Sequence, residues 1–290
     1  MTTTIDYVAP PTLAEAVQLL SRHAGSRPLA GGQSLLPALR LGRATPGLLV
    51  DLRAVPDLVG IGLGPAGELR IGAMTTLDAI AASPEVRAHY PAVAEGIRML
   101  ADPLVRNRAT IGGSLVGAAL GADLPAIVLA LDATIQVFGP AGYRTLSATE
   151  LYGGVGPTVL GDAEIVTAIS LPRPNPSASC AYEKMRNPAS GYAICGVAAA
   201  IELSAAGVIA GCGIAVAGVA DRPVRLTRVA AALAGKPATA GSIASALDMV
   251  PGEGLTFAAD LAASAEYRAH LTRVLAGRAL TTAVRRAGSS

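Results

Sequence analysis

The sequence is poor in the residues that most often fill a core or carry charge in bulk. It has no Trp, two Phe and seven Tyr in 290 residues, so aromatics make up 3% of the chain. Hydrophobic residues reach 51%, so a large core can form, but it must be built from small and aliphatic side chains among 33 glycines. That composition excludes a disordered chain, and the length leaves room for about two domains at ~100–200 residues each. Lysine is nearly missing: Lys184 and Lys236 stand alone, and the remaining positive charge is Arg. The formal net charge of +2 comes without basic runs, which argues against a nucleic-acid groove or a membrane surface as partner.

Cysteine and histidine are equally sparse. Cys180, Cys195 and Cys212 are odd in number and form no Cys-x-x-Cys pair, which argues against a disulfide framework or a cysteine-held zinc or iron–sulfur site in this chain. They read as small buried hydrophobes in a reducing compartment. His23, His89 and His270 lack metal-ligand spacing and read as solvated or capping residues. A hydrolase elbow is missing, because Gly113-Ser114-Leu115 lacks the second glycine. Asp102, Asp123 and Glu164 are carboxylates that only the fold could bring together. Met1 to Asp6 shows neither a basic nor an apolar leader region, so the expected location is the cytoplasm. The uncharged stretch 203–220 approaches a membrane span in length, but four glycines and its β-branched residues predict a buried antiparallel strand pair instead.

What is present divides near Pro172-Arg173-Pro174-Asn175-Pro176, a stiff connector. Before it, Thr12 and Glu15 predict a capping box opening a helix with an apolar face at Leu13, Ala16, Val17 and Leu20. Strands are predicted at 27–30, 48–52, 58–63, 69–73 and 164–171, with helices at 76–82, 84–89, 92–100 and 124–131. A hairpin is expected through Gly139-Pro140-Ala141-Gly142. After the connector come strands at 178–186, 193–203 and 208–219, then helices at 225–233, 242–250 and 260–286. Strands first and helices after predict an α+β layer.

Three glycine motifs compete for a functional reading. Gly62-Leu63-Gly64-Pro65-Ala66-Gly67 matches G-x-G-x-x-G, but Pro65 interrupts it and strand follows it, so a hairpin turn is expected. Ala30-Gly31-Gly32-Gln33-Ser34 leaves a short strand, and its glycines let a ligand approach the backbone. Ser34 can open a helix whose free N–H groups would meet an anion. Thr110-Ile111-Gly112-Gly113-Ser114 repeats that pattern about eighty residues on, again as a glycine loop. Two such loops could cradle the phosphates of a dinucleotide, although either alone is more often a turn. Tyr182, Lys184 and Tyr192 cluster just after the connector, where a domain joint could receive a ligand or a half-buried strand could run.

The two loops together resemble the FAD pyrophosphate loops of the medium, flavoprotein subunit of molybdenum hydroxylases. The resemblance extends through Val50-Asp51-Leu52-Arg53, Ile71-Gly72-Ala73-Met74-Thr75-Thr76, Asp123-Leu124-Pro125-Ala126, Ala181-Tyr182-Glu183-Lys184 and Glu266-Tyr267-Arg268. It implies an α+β fold: a PCMH-type FAD-binding domain over 1–174, with α/β subdomains at about 1–56 and 57–174. A C-terminal flavoprotein domain would follow over 175–290, with three antiparallel strands and a helical bundle. It further implies that Leu29, Ala30, Gly31, Gly32, Gln33, Ser34 and Leu35, with Thr110, Gly112, Gly113 and Ser114, surround the pyrophosphate. Asp123 would bind a hydroxyl of the FAD, Leu100 and Val166 would lie near the cofactor, Lys184 close to the flavin, and Tyr192 beside its ring system. The implied function is electron transfer within a heterotrimer, with FAD here and the molybdenum cofactor and [2Fe-2S] clusters on a large molybdopterin-binding and a small iron–sulfur partner subunit, paired as a dimer of heterotrimers. The alternatives are an FAD-poor structural subunit and a stand-alone flavin oxidase. Two departures bear on this: Ala118-Ala119-Leu120 replaces a frequent Gly-Asp-Pro, and Gly191 replaces a frequent Asp before Tyr192.

Overall fold

In the computed structural model, residues 5–154, 157–173 and 175–288 are described. Pro174 of the predicted connector lies outside them. The first 51 residues give a small parallel sheet from β1 (Asp6–Val8), β2 (Arg27–Leu29) and β3 (Leu48–Asp51), in the order β1-β3-β2. Its crossovers are α1 (Leu13–Arg22) and α2 (Leu35–Arg40). Thr12 caps α1 by accepting the Glu15 N–H at 3.2 Å, and Ala16, Val17 and Leu20 are buried as the periodicity predicts. The reciprocal half of the capping box does not form at Glu15. A complete box stands instead at Ser147 and Glu150, where it opens a one-turn helix too short to show periodicity.

The second unit is a five-stranded antiparallel sheet in the order β4-β5-β8-β6-β7. It comprises β4 (Ile61–Leu63), β5 (Leu69–Gly72), β6 (Thr134–Gly139), β7 (Gly142–Ser147) and β8 (Ile165–Leu171). Between β5 and β6 the chain makes α3 (Leu77–Ala82), α4 (Pro84–His89), α5 (Pro91–Arg98), α6 (Pro103–Arg106), α7 (Ile111–Gly117) and α8 (Asp123–Ala130); α9 (Ala148–Leu151) follows β7. Their starts are written locally: Thr76, Ser83, Asp102 and Thr110 cap with their side chains, and Pro84, Pro91 and Pro103 occupy first helical positions. The G-x-G-x-x-G match is the β4–β5 hairpin turn, with Gly64 accepting the Gly67 N–H at 3.0 Å. Strand β4 begins at Ile61, not 58, because Pro56 turns residues 56–58 into a 3-10 helix.

The third unit is an antiparallel sheet in the order β12-β11-β10-β9. Three long strands, β9 (Ala178–Arg186), β10 (Ala193–Leu203) and β11 (Ile209–Ala217), are joined by a two-residue edge, β12 (Val224–Arg225). The uncharged stretch is the β10–β11 pair, with Val197 opposite Val216 and Ala199 opposite Ile214. Helices α10 (Thr227–Leu233), α11 (Ala240–Leu247) and α12 (Ala265–Ala287) follow. Helix α12 starts five residues later than predicted because Asp260 accepts the Ala262 and Ala263 N–H groups in a turn and Ser264 is the cap.

This sheet is covered on both sides, and the period-2 alternation of its strands decides which side chains go where. Val197, Ala199, Ile201, Ile214 and Val216 face the helical bundle. Cys180, Tyr182, Ala198, Ala215 and Ala217 join the core of the second unit. Ala198, Ala215 and Ala217 of the second set are small, so α8 lies almost on β10 and β11; a Cβ at Gly213 would fall on the Ala130 carbonyl. The eight residues of α8 are all buried.

Candidate functional site

A cavity of about 810 Å³ opens where the three units meet, within the usual range for small-molecule sites. Its wall takes residues 27–35 from the first unit, Ala73, Leu77, Leu100, residues 109–123 in part and 157–166 in part from the second, and Ser190, Gly191 and Tyr192 from the third. Of the residues named from the sequence, Leu29, Ala30, Gly31, Gly32, Gln33, Ser34, Leu35, Leu100, Thr110, Gly112, Gly113, Ser114, Asp123, Val166 and Tyr192 all line it. Lys184 does not.

The two glycine motifs meet in space but are built differently. Gly32 has φ +75°, a left-handed conformation that a β-carbon disfavours, and Ser34 then returns to the right-handed region ahead of α2. Among the described residues, the backbone N–H groups of Gly31 through Leu35 donate to no protein acceptor, and the Ser34 hydroxyl makes no capping bond. A run of free amides around such a turn is an anion cradle. The second motif is not a loop, as the sequence suggested, but the first turn of α7. Thr110 caps it by accepting the Gly113 N–H at 3.2 Å, while Ile111 and Gly112 donate to the Thr75 and Ala73 carbonyls. Its amides are therefore engaged, and its glycines serve close approach. A Cβ at Gly112 would sit 2.7 Å from that of Ala73.

Gly31 draws the two motifs together. A Cβ there would strike the Arg108 carbonyl and lie 2.8 Å from the Ala109 Cα, so the first loop rests on the backbone just before α7. The Cβ of Ala30 lies 3.6 Å from where one on Gly113 would be.

Asp123, the first residue of α8, is 2% exposed and forms part of the wall. Its Oδ2 is 2.8 Å from the Lys184 Nζ, and its Oδ1 accepts the Tyr182 hydroxyl at 2.5 Å. Lys184 thus lies behind the carboxylate, with its side chain 1% exposed, and donates also to the Met99 carbonyl at 3.4 Å. Burial pulls the Asp123 carboxyl above its ordinary value, opposed by the ammonium and the two hydrogen bonds. Burial and the adjacent carboxylate push the Tyr182 hydroxyl well above the usual phenol range, so it remains a donor.

The other two carboxylates have partners of their own: Asp102 caps α6, and Glu164, which also lines the cavity, pairs with Arg144 at 2.6 Å. The three histidines are exposed. Gly191 has φ +75°, a left-handed conformation that Asp tolerates better than most residues. The sequence reading missed Leu77, Pro157, Thr158, residues 160–162 and Ser190 as wall residues; they fall in turns or on apolar faces without a distinguishing motif. Among the described residues no His/Cys/Asp/Glu cluster could hold a metal ion, and no helix is long and apolar enough to cross a membrane.

Comparison with known proteins agrees with this architecture. A family model described as the FAD binding domain in molybdopterin dehydrogenase matches residues 3–174, and one described as the CO dehydrogenase flavoprotein C-terminal domain matches residues 180–283. The carbon monoxide dehydrogenase medium chain of Afipia carboxidovorans is 36% identical over 288 residues, covering 97% of both chains. The nicotine 6-hydroxylase medium subunit of Paenarthrobacter nicotinovorans is 33% identical, covering 96% of this chain and 97% of that one. A solved structure of carbon monoxide dehydrogenase from Hydrogenophaga pseudoflava superposes with a TM-score of 0.92 at 34% identity, covering 99% of each chain. A cradle of free amides, a cavity walled by three units and likeness over nearly the full length converge on one assignment: the chain belongs to the family of FAD-binding medium subunits of molybdenum hydroxylases and is an oxidoreductase subunit.

Proposed function

We propose that the cavity holds one FAD and that this chain is the electron-transfer subunit of a heterotrimeric molybdenum hydroxylase. The free amides of residues 31–35 carry the reading, because they form an anion cradle inside a cavity large enough for an extended cofactor. The pyrophosphate would rest on those amides, with the hydroxyls of Ser34 and Ser114 close by. Asp123 would accept from a cofactor hydroxyl, Leu100 and Val166 would supply apolar wall, and Tyr192 would cover the ring system. When bound, the flavin supplies both one- and two-electron redox chemistry. The chain's own task is then to bind, orient and shield, which needs no nucleophile or general base.

In this reading residues 1–174 are the FAD-binding domain and 175–290 the C-terminal flavoprotein domain. Electrons arrive from [2Fe-2S] clusters on a small partner subunit, which receives them from a large molybdopterin-binding subunit where substrate is oxidised. They leave to an external acceptor. The assembly is a dimer of heterotrimers in the cytoplasm. The test is an absorption spectrum of the purified chain, followed by acid release of any flavin and metal analysis of the co-purifying complex. Stoichiometric, non-covalent FAD with molybdenum and iron in the complex is expected. A colourless, folded chain that cannot be reconstituted with FAD would make it a structural subunit, and flavin without molybdenum or iron partners would make it a stand-alone oxidase.

A further inference from the structure

The C-terminal unit reaches the cavity directly through Ser190, Gly191 and Tyr192 of the β9–β10 connection, and indirectly through Tyr182 and Lys184, which hold the wall residue Asp123. Tyr182 is 2% exposed and its ring passes between two glycines. A Cβ at Gly196 would fall on its hydroxyl, and one at Gly96 would lie 3.5 Å from its ring. Its backbone N–H donates to Glu95 Oε2 at 3.1 Å, and Glu95 is itself held by Arg286 at 2.5 Å. The hydroxyl ends on Asp123 Oδ1, beside the Lys184 ammonium on Oδ2.

Stability alone gives no reason for such a cluster, because buried ion pairs are often replaced by apolar side chains at no loss. The cavity wall does give one. Asp123 is the wall residue in the cluster, and both of its oxygens are fixed from behind. We infer that Tyr182 is a positioning residue for the cofactor site, setting with Lys184 the orientation in which Asp123 faces the cavity. Lys184 accordingly acts through Asp123. The inference rests on the FAD reading above, and it adds a residue that touches no part of the cavity.

The test is a double-mutant cycle on the full 290-residue chain, with flavin removed and FAD titrated back by its fluorescence. Tyr182→Phe is expected to bind FAD about tenfold more weakly, since a hydrogen bond to a charged group is worth roughly that or more. In an Asp123→Leu/Lys184→Met background, which removes both charges together, Tyr182→Phe is expected to have no further effect. Gly196→Ala, which displaces the hydroxyl while keeping it, should reproduce the weaker binding. Unchanged affinity in Tyr182→Phe would overturn the inference. So would an equal loss in both backgrounds, because Tyr182 would then act independently of Asp123. Wild-type chain that fails to take up FAD would instead overturn the FAD reading itself, and this role with it.

Discussion

Ala118 ends α7 at φ 34° and ψ 38°, with its N–H donating to the Ser114 carbonyl. The left-handed conformation costs a residue with a β-carbon ~1–2 kcal/mol, which a glycine avoids at an entropic cost of roughly 0.5–1 kcal/mol. Ala118→Gly is therefore expected to leave stability unchanged or raise it by up to about 1 kcal/mol, measured by urea unfolding; a clear loss would mean the strain is not there. Glu164 carries a different signal. Its paired Arg144 holds the carboxyl below its ordinary value, aided by the Gly161 N–H and opposed by modest burial. A depressed carboxylate contributes stability above the unfolded value of about 4.3 and loses it as pH falls through the folded value. Since Arg144 is 39% exposed, the pair is worth at most about 1 kcal/mol. In flavin-free protein, Glu164→Gln should cost up to that much at pH 7 and nothing once the pH is below the folded value. A gap that persists in acid would assign the loss to packing. At this scale the sequence marked candidate side chains more readily than what they touch: Asp123 and Lys184 were both candidates, but 61 residues separate them and only the fold reveals that one stands behind the other.

At the scale of elements, two similar strings gave two different structures. Ala30-Gly31-Gly32-Gln33-Ser34 is a loop with free amides, whereas Thr110-Ile111-Gly112-Gly113-Ser114 is a capped helix start with its amides engaged. The difference is legible in hindsight, since a Thr three residues before a glycine N–H is a ready cap, but the Gly-Gly pair masked it. The functional consequence is a difference in kind. Gly32→Val forces a β-branched residue to φ +75° and puts its Cβ 2.9 Å from the Leu36 side chain, so the cradle must deform. Gly113→Val keeps a helical backbone and crowds the Thr110 hydroxyl at 3.0 Å. Both are expected to lower the flavin-to-protein ratio. Only Gly32→Val should also abolish protection by pyrophosphate or ADP against thermal unfolding; equal protection in both variants would contradict the asymmetry. The long strands and their hairpin partners were readable because alternation and turn residues agree, while α9 and β12 were too short to leave a period.

Across the whole molecule, the cavity depends on surfaces that are remote in sequence, so its existence was not readable from spacing, although nearly every residue in its wall that bears a family motif was. The sheet that closes it from the C-terminal side is also the lid on α5 and α8, and the end of α12 is tied back to α5 through Arg286 and Glu95. A chain ending at residue 173 would keep every element of the first two sheets yet leave α8, buried on all sides in the full protein, with one flank open to water. Such a fragment is expected to bind a hydrophobic dye and to aggregate where the full chain does not; a soluble monomeric fragment that takes up FAD would show that the second unit stands without its cover. The same burial has a temporal side. During synthesis the apolar flank of α8 emerges long before β10 and β11, which cover it, so the growing chain passes through a stage in which its stickiest surface is complete and its partner has not yet been made. The yield of this subunit in a cell should therefore respond to translation speed and to holdase chaperones more than the stability of the finished protein would suggest.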